Sequence, residues 1–174
     1  AQTYFANSDM FNQKYWRSQD YSVKWRPVFF DLDFGLHSSS PTRNILSSYF
    51  RVEGVPSQDG SLTNMDIYVG LRKNAAWRDY FCERYVYVVL NHFNSERLCA
   101  ILDEMAAQLR AEWPRHTARW SDAPSLSKWE SNVAALRDCL AIRAEYALKY
   151  LQKEFGVSDE KMQEYRAKAL AASA

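Results

Sequence analysis

Apolar and polar positions divide the chain into two parts with different periodicity. Residues 12–17 and 23–32 flank the polar turn 18–22, and the second segment is rich in Val, Phe and Trp, so this pattern predicts a β-hairpin over residues 12–33. Pro27 lies inside the second run, which indicates an edge position or a bulge. Because a lone hairpin is marginally stable in water, we expect it to pack on helices or on further sheet.

Residues 34–62 are rich in serine, proline and glycine and predict a long loop. Residues 44–50 within it could form a helical turn. A loop of this length in a compact domain is more often functional than idle, and we expect it to be mobile over residues 38–40 and 57–60.

From Thr63 onward the apolar residues recur at helical spacing. Capping signals place helix starts at Thr63, at Asn94 or Ser95, at Ser127 and at Ser158, and helix ends at Pro114 and Gly156. Two helices show clear apolar stripes, which comprise Leu98, Ile101, Leu102, Met105 and Leu109 in the first and Trp129, Val133, Leu136, Leu140, Ala147 and Leu151 in the second.

These elements predict an α+β fold that is mostly α, with a short hairpin packed on a helical bundle. We expect one domain over residues 1–157, made of the hairpin 12–33, the loop 34–62 and helices over 63–156. Residues 158–174 would add a C-terminal helix or tail whose alanine-rich end frays.

Composition narrows the class of protein. With 174 residues, 47% of them hydrophobic and 15% aromatic, the chain can bury a core. The net charge of +1 gives no bulk electrostatic reason to bind nucleic acid or an anionic membrane. No apolar run is long enough to span a membrane. The three widely spaced cysteines predict neither a disulfide framework nor a zinc site, so we interpret them as small core residues.

Two carboxylates close the second apolar run. Asp31 and Asp33 are two residues apart, and strand alternation would point both side chains to one spot. Such like charges favour a cation between them, and carboxylate oxygens suit Mg²⁺ or Mn²⁺. The structural alternative is that Asp31 caps a turn and Asp33 is solvated.

A third carboxylate, Asp9, and the amide of Asn12 lie just upstream of the hairpin. They could be a catalytic base and a metal-holding amide, or simply turn residues. Further along, Arg143 interrupts the apolar stripe of its helix. It could make a partly buried structural ion pair or contact a substrate or phosphate.

As an ordered set these residues resemble the spore-coat protein H (CotH) kinase family. The resemblance rests on Asn7, Asp9, residues 12–17, residues 24–26 and the segment 31–35, and it extends through residues 74–85 and 136–143. It covers about residues 4–152. It implies an atypical protein-kinase fold, here the metal-binding C-terminal lobe, that transfers phosphate from ATP to Ser or Thr of surface or coat proteins.

By position, the resemblance implies that Asp9 is the catalytic-loop aspartate. Asn12, Asp31 and Asp33 would bind the metal, Mg²⁺ or Mn²⁺, and through it the nucleotide. The implied partners are a nucleotide, a protein substrate rich in Ser or Thr, and an N-terminal lobe of the same protein. The implied location is the cell surface, the secreted fraction or the spore coat.

The sequence departs from ordinary kinases in two ways. The amide Asn12 follows Asp9 by three residues rather than five, so Asn7 or Gln13 could take its place. The chain shows no glycine-rich nucleotide loop, so we expect a fragment that is inactive without its N-terminal lobe. The alternatives are a non-catalytic helical assembly domain of a coat or envelope protein, or another transfer reaction on a kinase-like scaffold.

Overall fold

A computed structural model describes residues 1–9, 14–36, 41–51 and 65–172. Within this part the protein is mostly helical with one small sheet, which confirms the predicted α+β class. The elements are β1 (Tyr15–Trp16), β2 (Arg26–Pro27), α1 (Leu46–Arg51), α2 (Met65–Arg72), α3 (Ala75–Asn91), α4 (Ser95–Arg110), α5 (Trp113–Arg119), α6 (Leu126–Phe155) and α7 (Asp159–Ala171).

The chain divides into two compact units. The first comprises Ala1–His37 and Asn44–Tyr80, and the second comprises Ser38–Arg43 and Phe81–Ala174. The first unit holds the hairpin, α1, α2 and the start of α3. The second holds the rest of α3 and the helices α4 to α7.

The hairpin is real but its strands are much shorter than predicted. β1 and β2 pair antiparallel, with Tyr15 opposite Pro27 and Trp16 opposite Arg26. The Val28 N–H donates to the Lys14 carbonyl at 2.8 Å, which is the last ladder bond among the described residues. Of the apolar residues that follow, Val28 and Phe29 stay exposed, with Phe29 62% accessible, and Phe30 and Leu32 are only half-buried. With no partner strand and no buried face in the described part, nothing extends the sheet to Leu32.

Aromatic side chains attach the hairpin to the helices of the first unit, as expected. The Tyr15 and Tyr68 hydroxyls are hydrogen-bonded at 2.8 Å. Burial and this hydrogen bond raise the pKa of Tyr15. The Phe50 ring lies 6.2 Å from the Tyr68 ring and 6.0 Å from the Trp77 ring, so α1, α2 and α3 share one aromatic core.

In the second unit α6 is the central helix, and its predicted apolar stripe is confirmed. Leu140, Ala147 and Leu151 are buried. The Phe155 ring lies 5.2 Å from that of Phe81, which ties α6 to α3. Helix α7 is fastened by the Asn91 amide, which donates to the Ala169 carbonyl at 3.0 Å.

The predicted face of α4 is wrong at three of its five residues, since Leu98 and Leu102 are half-buried. Cys99 and Ala106 are buried, whereas Ile101, Met105 and Leu109 are exposed. Small residues let α4 approach α6 closely, and the Cys99 thiol donates to the Arg137 carbonyl at 3.7 Å. Ile101, Met105 and Leu109 lie on the exposed side of the helix.

Several of the helix ends predicted from capping residues are present in the structure. As predicted, Asn94 caps the start of α4 and Ser158 the start of α7. Gly156 ends α6 in the left-handed conformation, with φ 62°. Thr63 lies outside the described residues. Where described, the helical turn expected at residues 44–50 is present as α1.

Two capping predictions are wrong. Helix α6 begins earlier than expected, because the hydroxyl of Ser125, not Ser127, accepts the Lys128 N–H at 3.2 Å. Pro114 does not end α4 but lies in the first turn of α5. Proline costs nothing there, since a first-turn N–H has no intrahelical partner.

The cysteines behave as predicted, since Cys82, Cys99 and Cys139 are free and buried. No helix in the described ranges combines the length and the apolar character that a membrane span requires.

Candidate functional site

One buried amide joins the segment of Asp9 to that of Asp31. Asn7 is fully buried. Its Oδ1 accepts the Asp9 N–H at 3.1 Å, while its Nδ2 donates to the Asp31 carbonyl at 3.2 Å and to Gln2 Oε1 at 2.6 Å. Asn7 therefore fixes the main chain at both acidic positions, although they are far apart in sequence.

A tight turn follows the acidic residues and is bound to the same N-terminal segment. The Gly35 N–H donates to the Leu32 carbonyl at 2.7 Å, and the Leu36 N–H donates to the Phe5 carbonyl at 2.6 Å. A Cβ at position 35 would lie 2.8 Å from the Leu32 oxygen. Only glycine fits this turn without displacing the backbone.

The carboxyl groups of Asp31 and Asp33 meet in the structure. A hydrogen bond between them raises the pKa of Asp31, with partial desolvation and the negative charges of Asp33 and Asp9 acting in the same direction. The nearby Lys14 ammonium opposes this rise. Both side chains remain exposed, so a cation from the solvent could approach both carboxyl groups.

The physical reason predicted for this meeting is wrong. Asp31 lies outside the strands and has φ 56°, a left-handed conformation that the alternation of a strand does not produce. Aspartate tolerates this region better than most residues. The turn, together with the Asn7 contact, brings the two carboxyl groups together.

The described part of the site offers only some of the ligands that a metal needs. Within residues 1–9, 14–36, 41–51 and 65–172, no group of three or more His, Cys, Asp or Glu side chains is arranged to hold a metal ion. Asn12 and Gln13 lie outside the described residues. Asn7, the other candidate amide, is buried and committed to the main chain, so it positions the site rather than facing a ligand. The hard oxygen pair of Asp31 and Asp33 still fits Mg²⁺ or Mn²⁺ in chemistry.

Lys14 is a site residue that the sequence analysis did not single out. Its ammonium lies 5.2 Å from the centre of the Phe30 ring and close enough to Asp31 to oppose the rise in the pKa of that carboxyl. Lysine in an apolar strand pattern gives no such signal, because the contact depends on the register of the hairpin. This cation could neutralise phosphate oxygens.

Arg143 belongs to the second unit, where it is 1% exposed. Its Nη1 donates to the carbonyls of Pro41 and Arg43, both at 2.8 Å. The Tyr150 hydroxyl donates to the Thr42 carbonyl between them. Two side chains of α6 therefore hold the main chain of residues 41–43, a role that the sequence analysis did not anticipate.

Comparison with known families identifies the family of the chain. The family model described as CotH kinase protein matches residues 1–147, which is most of the chain. The chain belongs to the CotH kinase family. As a CotH kinase family member it is a kinase-related protein, and the match covers Asp9, Asp31, Asp33 and Arg143. No curated protein and no solved structure matches the chain significantly.

Proposed function

We propose that this protein contributes the metal-binding lobe of an atypical CotH-like kinase that transfers the γ-phosphate of ATP to Ser or Thr of surface or coat proteins. The observation that carries the proposal is the meeting of the Asp31 and Asp33 carboxyl groups with Asp9 nearby. Phosphoryl transfer needs mainly positioning and charge stabilisation, and an acidic site of this kind supplies both through a divalent cation.

The residues take distinct roles in this proposal. Asp9 accepts the proton of the acceptor hydroxyl as its oxygen bonds to the γ-phosphorus and the bond to the β–γ bridging oxygen breaks, which releases ADP. Asp31 and Asp33, with Asn12 as the implied third ligand, hold Mg²⁺ or Mn²⁺. When bound, the cation offsets negative charge on the phosphates. Lys14, which lies near Asp31, would contact phosphate oxygens.

The proposal is tested by titrating ATP into the full-length natural protein with and without Mg²⁺ or Mn²⁺. Asp31→Ala and Asp33→Ala should each weaken metal-dependent binding about tenfold or more, because a charged ligand is lost. Asp9→Ala should leave binding nearly unchanged and depress transfer instead. If the folded protein bound ATP with the same affinity in the presence and absence of Mg²⁺ and Mn²⁺, the proposal would be contradicted.

A non-catalytic helical assembly domain is the second candidate. The exposed apolar residues Ile101, Met105 and Leu109 on α4 favour it, since such stripes often mark contacts between proteins. The same titration distinguishes the kinase lobe from the assembly domain, because an assembly domain needs no metal-dependent nucleotide binding.

A further inference from the structure

The hairpin tip, defined here as residues 17–25, holds an arginine in an unusual setting. The Arg17 guanidinium carbon lies 4.0 Å from the centre of the Tyr21 ring and 4.8 Å from that of the Trp25 ring. Among the residues that the structure describes, no carboxylate or carbonyl accepts a hydrogen bond from Arg17. Two aromatic rings therefore orient the guanidinium while its N–H donors stay available.

A network of short polar bonds fixes the turn that presents Tyr21. Tyr21 has φ 61°, a left-handed conformation that is costly for an aromatic residue. The Ser18 carbonyl accepts the Tyr21 N–H at 3.1 Å, and the Ser18 hydroxyl accepts the Val23 N–H at 2.8 Å. The turn is thus locked in the geometry that places the ring against Arg17.

The only carboxylate of the tip is already occupied. Asp20 Oδ1 accepts the Ser22 N–H at 3.1 Å and the Ser22 hydroxyl at 2.8 Å. Hydrogen bonds from Ser18 and Ser22 lower the pKa of Asp20, so its negative charge is satisfied by the turn itself. No local anion competes for Arg17 in the described part of the tip.

The surroundings of Arg17 are cationic and aromatic. Residues 14–30 carry the four cations Lys14, Arg17, Lys24 and Arg26 against the single anion Asp20, an excess of three positive charges. The exposed rings add apolar surface, with Tyr21 69% and Trp25 62% accessible. Trp16 and Phe29 are exposed on the same hairpin.

We propose that the hairpin tip is a docking site for an acidic segment of a partner polypeptide, whose carboxylate Arg17 binds in a bidentate manner. The planar fork of a guanidinium matches a carboxylate, and charge-assisted bonds of this kind are strong. Charge also selects the size of the partner. Residues 14–30 carry +3, but Asp31 and Asp33 follow at once and confine the cationic surface to this segment, so a short acidic segment fits it better than a long polyanion or an anionic membrane.

This site is separate from the acidic pair in chemistry, and its test does not depend on phosphoryl transfer. The probe is a short fluorescent peptide rich in Glu, titrated into the protein at low salt and followed by anisotropy. We expect saturable binding that weakens as salt rises, and no binding of a Lys-rich peptide of the same length.

Variants of the tip sharpen the test. Arg17→Gln should weaken peptide binding about tenfold. Arg17→Lys should weaken it nearly as much, because lysine keeps the positive charge but lacks the planar guanidinium that binds a carboxylate in a bidentate manner. Trp25→Leu should also weaken binding, because the guanidinium loses one orienting ring. Arg115→Gln is the matched control, since Arg115 is an exposed arginine of α5 that pairs with Glu112 at 3.1 Å. It should bind the peptide like the wild type.

Several outcomes would overturn the proposal. These are failure of the folded wild type to bind the Glu-rich peptide, equal binding of the Lys-rich peptide, or equal losses for Arg17→Gln and Arg115→Gln. Binding to vesicles containing phosphatidylserine but not to the peptide would also overturn it, in favour of a lipid surface. Circular dichroism of each variant checks that a loss of binding does not reflect unfolding.

Discussion

At the scale of single residues, Asn7 shows why the acidic site could be predicted only in part. The acidic residues themselves can be recognised in the sequence. The hydrogen bond from Asn7 to the Asp31 carbonyl cannot, because it joins positions 24 residues apart. That contact depends on the path of the N-terminal segment, which no local pattern encodes. The left-handed conformation of Asp31 is likewise set by the turn and not by the apolar run before it.

Replacing Asn7 should therefore cost both stability and site geometry. Asn7→Ala leaves the Asp9 N–H and the Asp31 carbonyl without their partner, and we expect a loss of about 2 kcal/mol in unfolding free energy. Urea unfolding measures the loss. Ile45→Val, a mild change at another buried position of the same unit, serves as the control and should cost about 1 kcal/mol. A change within error for Asn7→Ala would show that the amide is not needed to hold these segments.

The Asp31–Asp33 pair should give the metal-free protein a specific pH dependence. The pKa of Asp31 is raised in the fold, so the stability that this group contributes is present below the pKa of an unfolded Asp, about 3.9, and is lost as pH rises through the raised folded value. Asp33→Asn removes the repulsion of two ionised carboxylates. Its melting temperature should therefore rise relative to the wild type between acidic and neutral pH. Parallel curves for the two proteins would show that the carboxyl groups do not interact.

At the scale of elements, the sequence predicts helices and their caps correctly where the signal comes from residues close in sequence. The long stripe of α6, its Gly156 end and the Asn94 and Ser158 caps all follow from neighbours in sequence. The buried face of α4 could not be predicted in this way. Hydrophobicity alone favours the large apolar residues, whereas close packing against α6 buries the small residues Cys99 and Ala106. The strands were overestimated because an apolar run forms a strand only where a partner strand or a buried face is present.

The position of the α6 cap separates two neighbouring serines. Ser125→Ala should destabilise the second unit by about 1 kcal/mol, since the Lys128 N–H loses its acceptor. Ser127→Ala is the matched control and should be nearly neutral, because alanine is a good helix former. Chemical denaturation of the two variants provides the comparison. Equal costs, or a larger cost at Ser127, would place the cap elsewhere.

The hold of Arg143 on residues 41–43 can be measured in the same way. Arg143→Met removes the donor to two carbonyls in a buried place, and we expect a loss of roughly 2–4 kcal/mol. Arg137→Met removes an exposed ion pair with Asp103 and should cost below about 1 kcal/mol. Amide hydrogen exchange at Thr42 and Arg43 should rise only in the Arg143 variant. Unchanged protection there would mean that other contacts hold the segment.

At the scale of the whole molecule, the family and the fold class followed from the order of the motifs, while the roles of the site residues did not. CotH kinase family membership rests on residues 1–147 taken together. The sequence alone already suggested Asp9, Asp31 and Asp33. It did not reveal Lys14, because its contact with Phe30 requires the folded hairpin.

The most direct test of the central claim is transfer of labelled phosphate from ATP to a Ser-rich acceptor by the full-length natural protein. We expect transfer that requires Mg²⁺ or Mn²⁺. Asp9→Asn should lower the transfer rate by about a hundredfold or more while nucleotide binding persists, because the proton acceptor is lost and the metal ligands remain. Transfer at the wild-type rate by Asp9→Asn, or by Asp31→Ala with Asp33→Ala, would contradict the assignment of the acidic residues as the catalytic site.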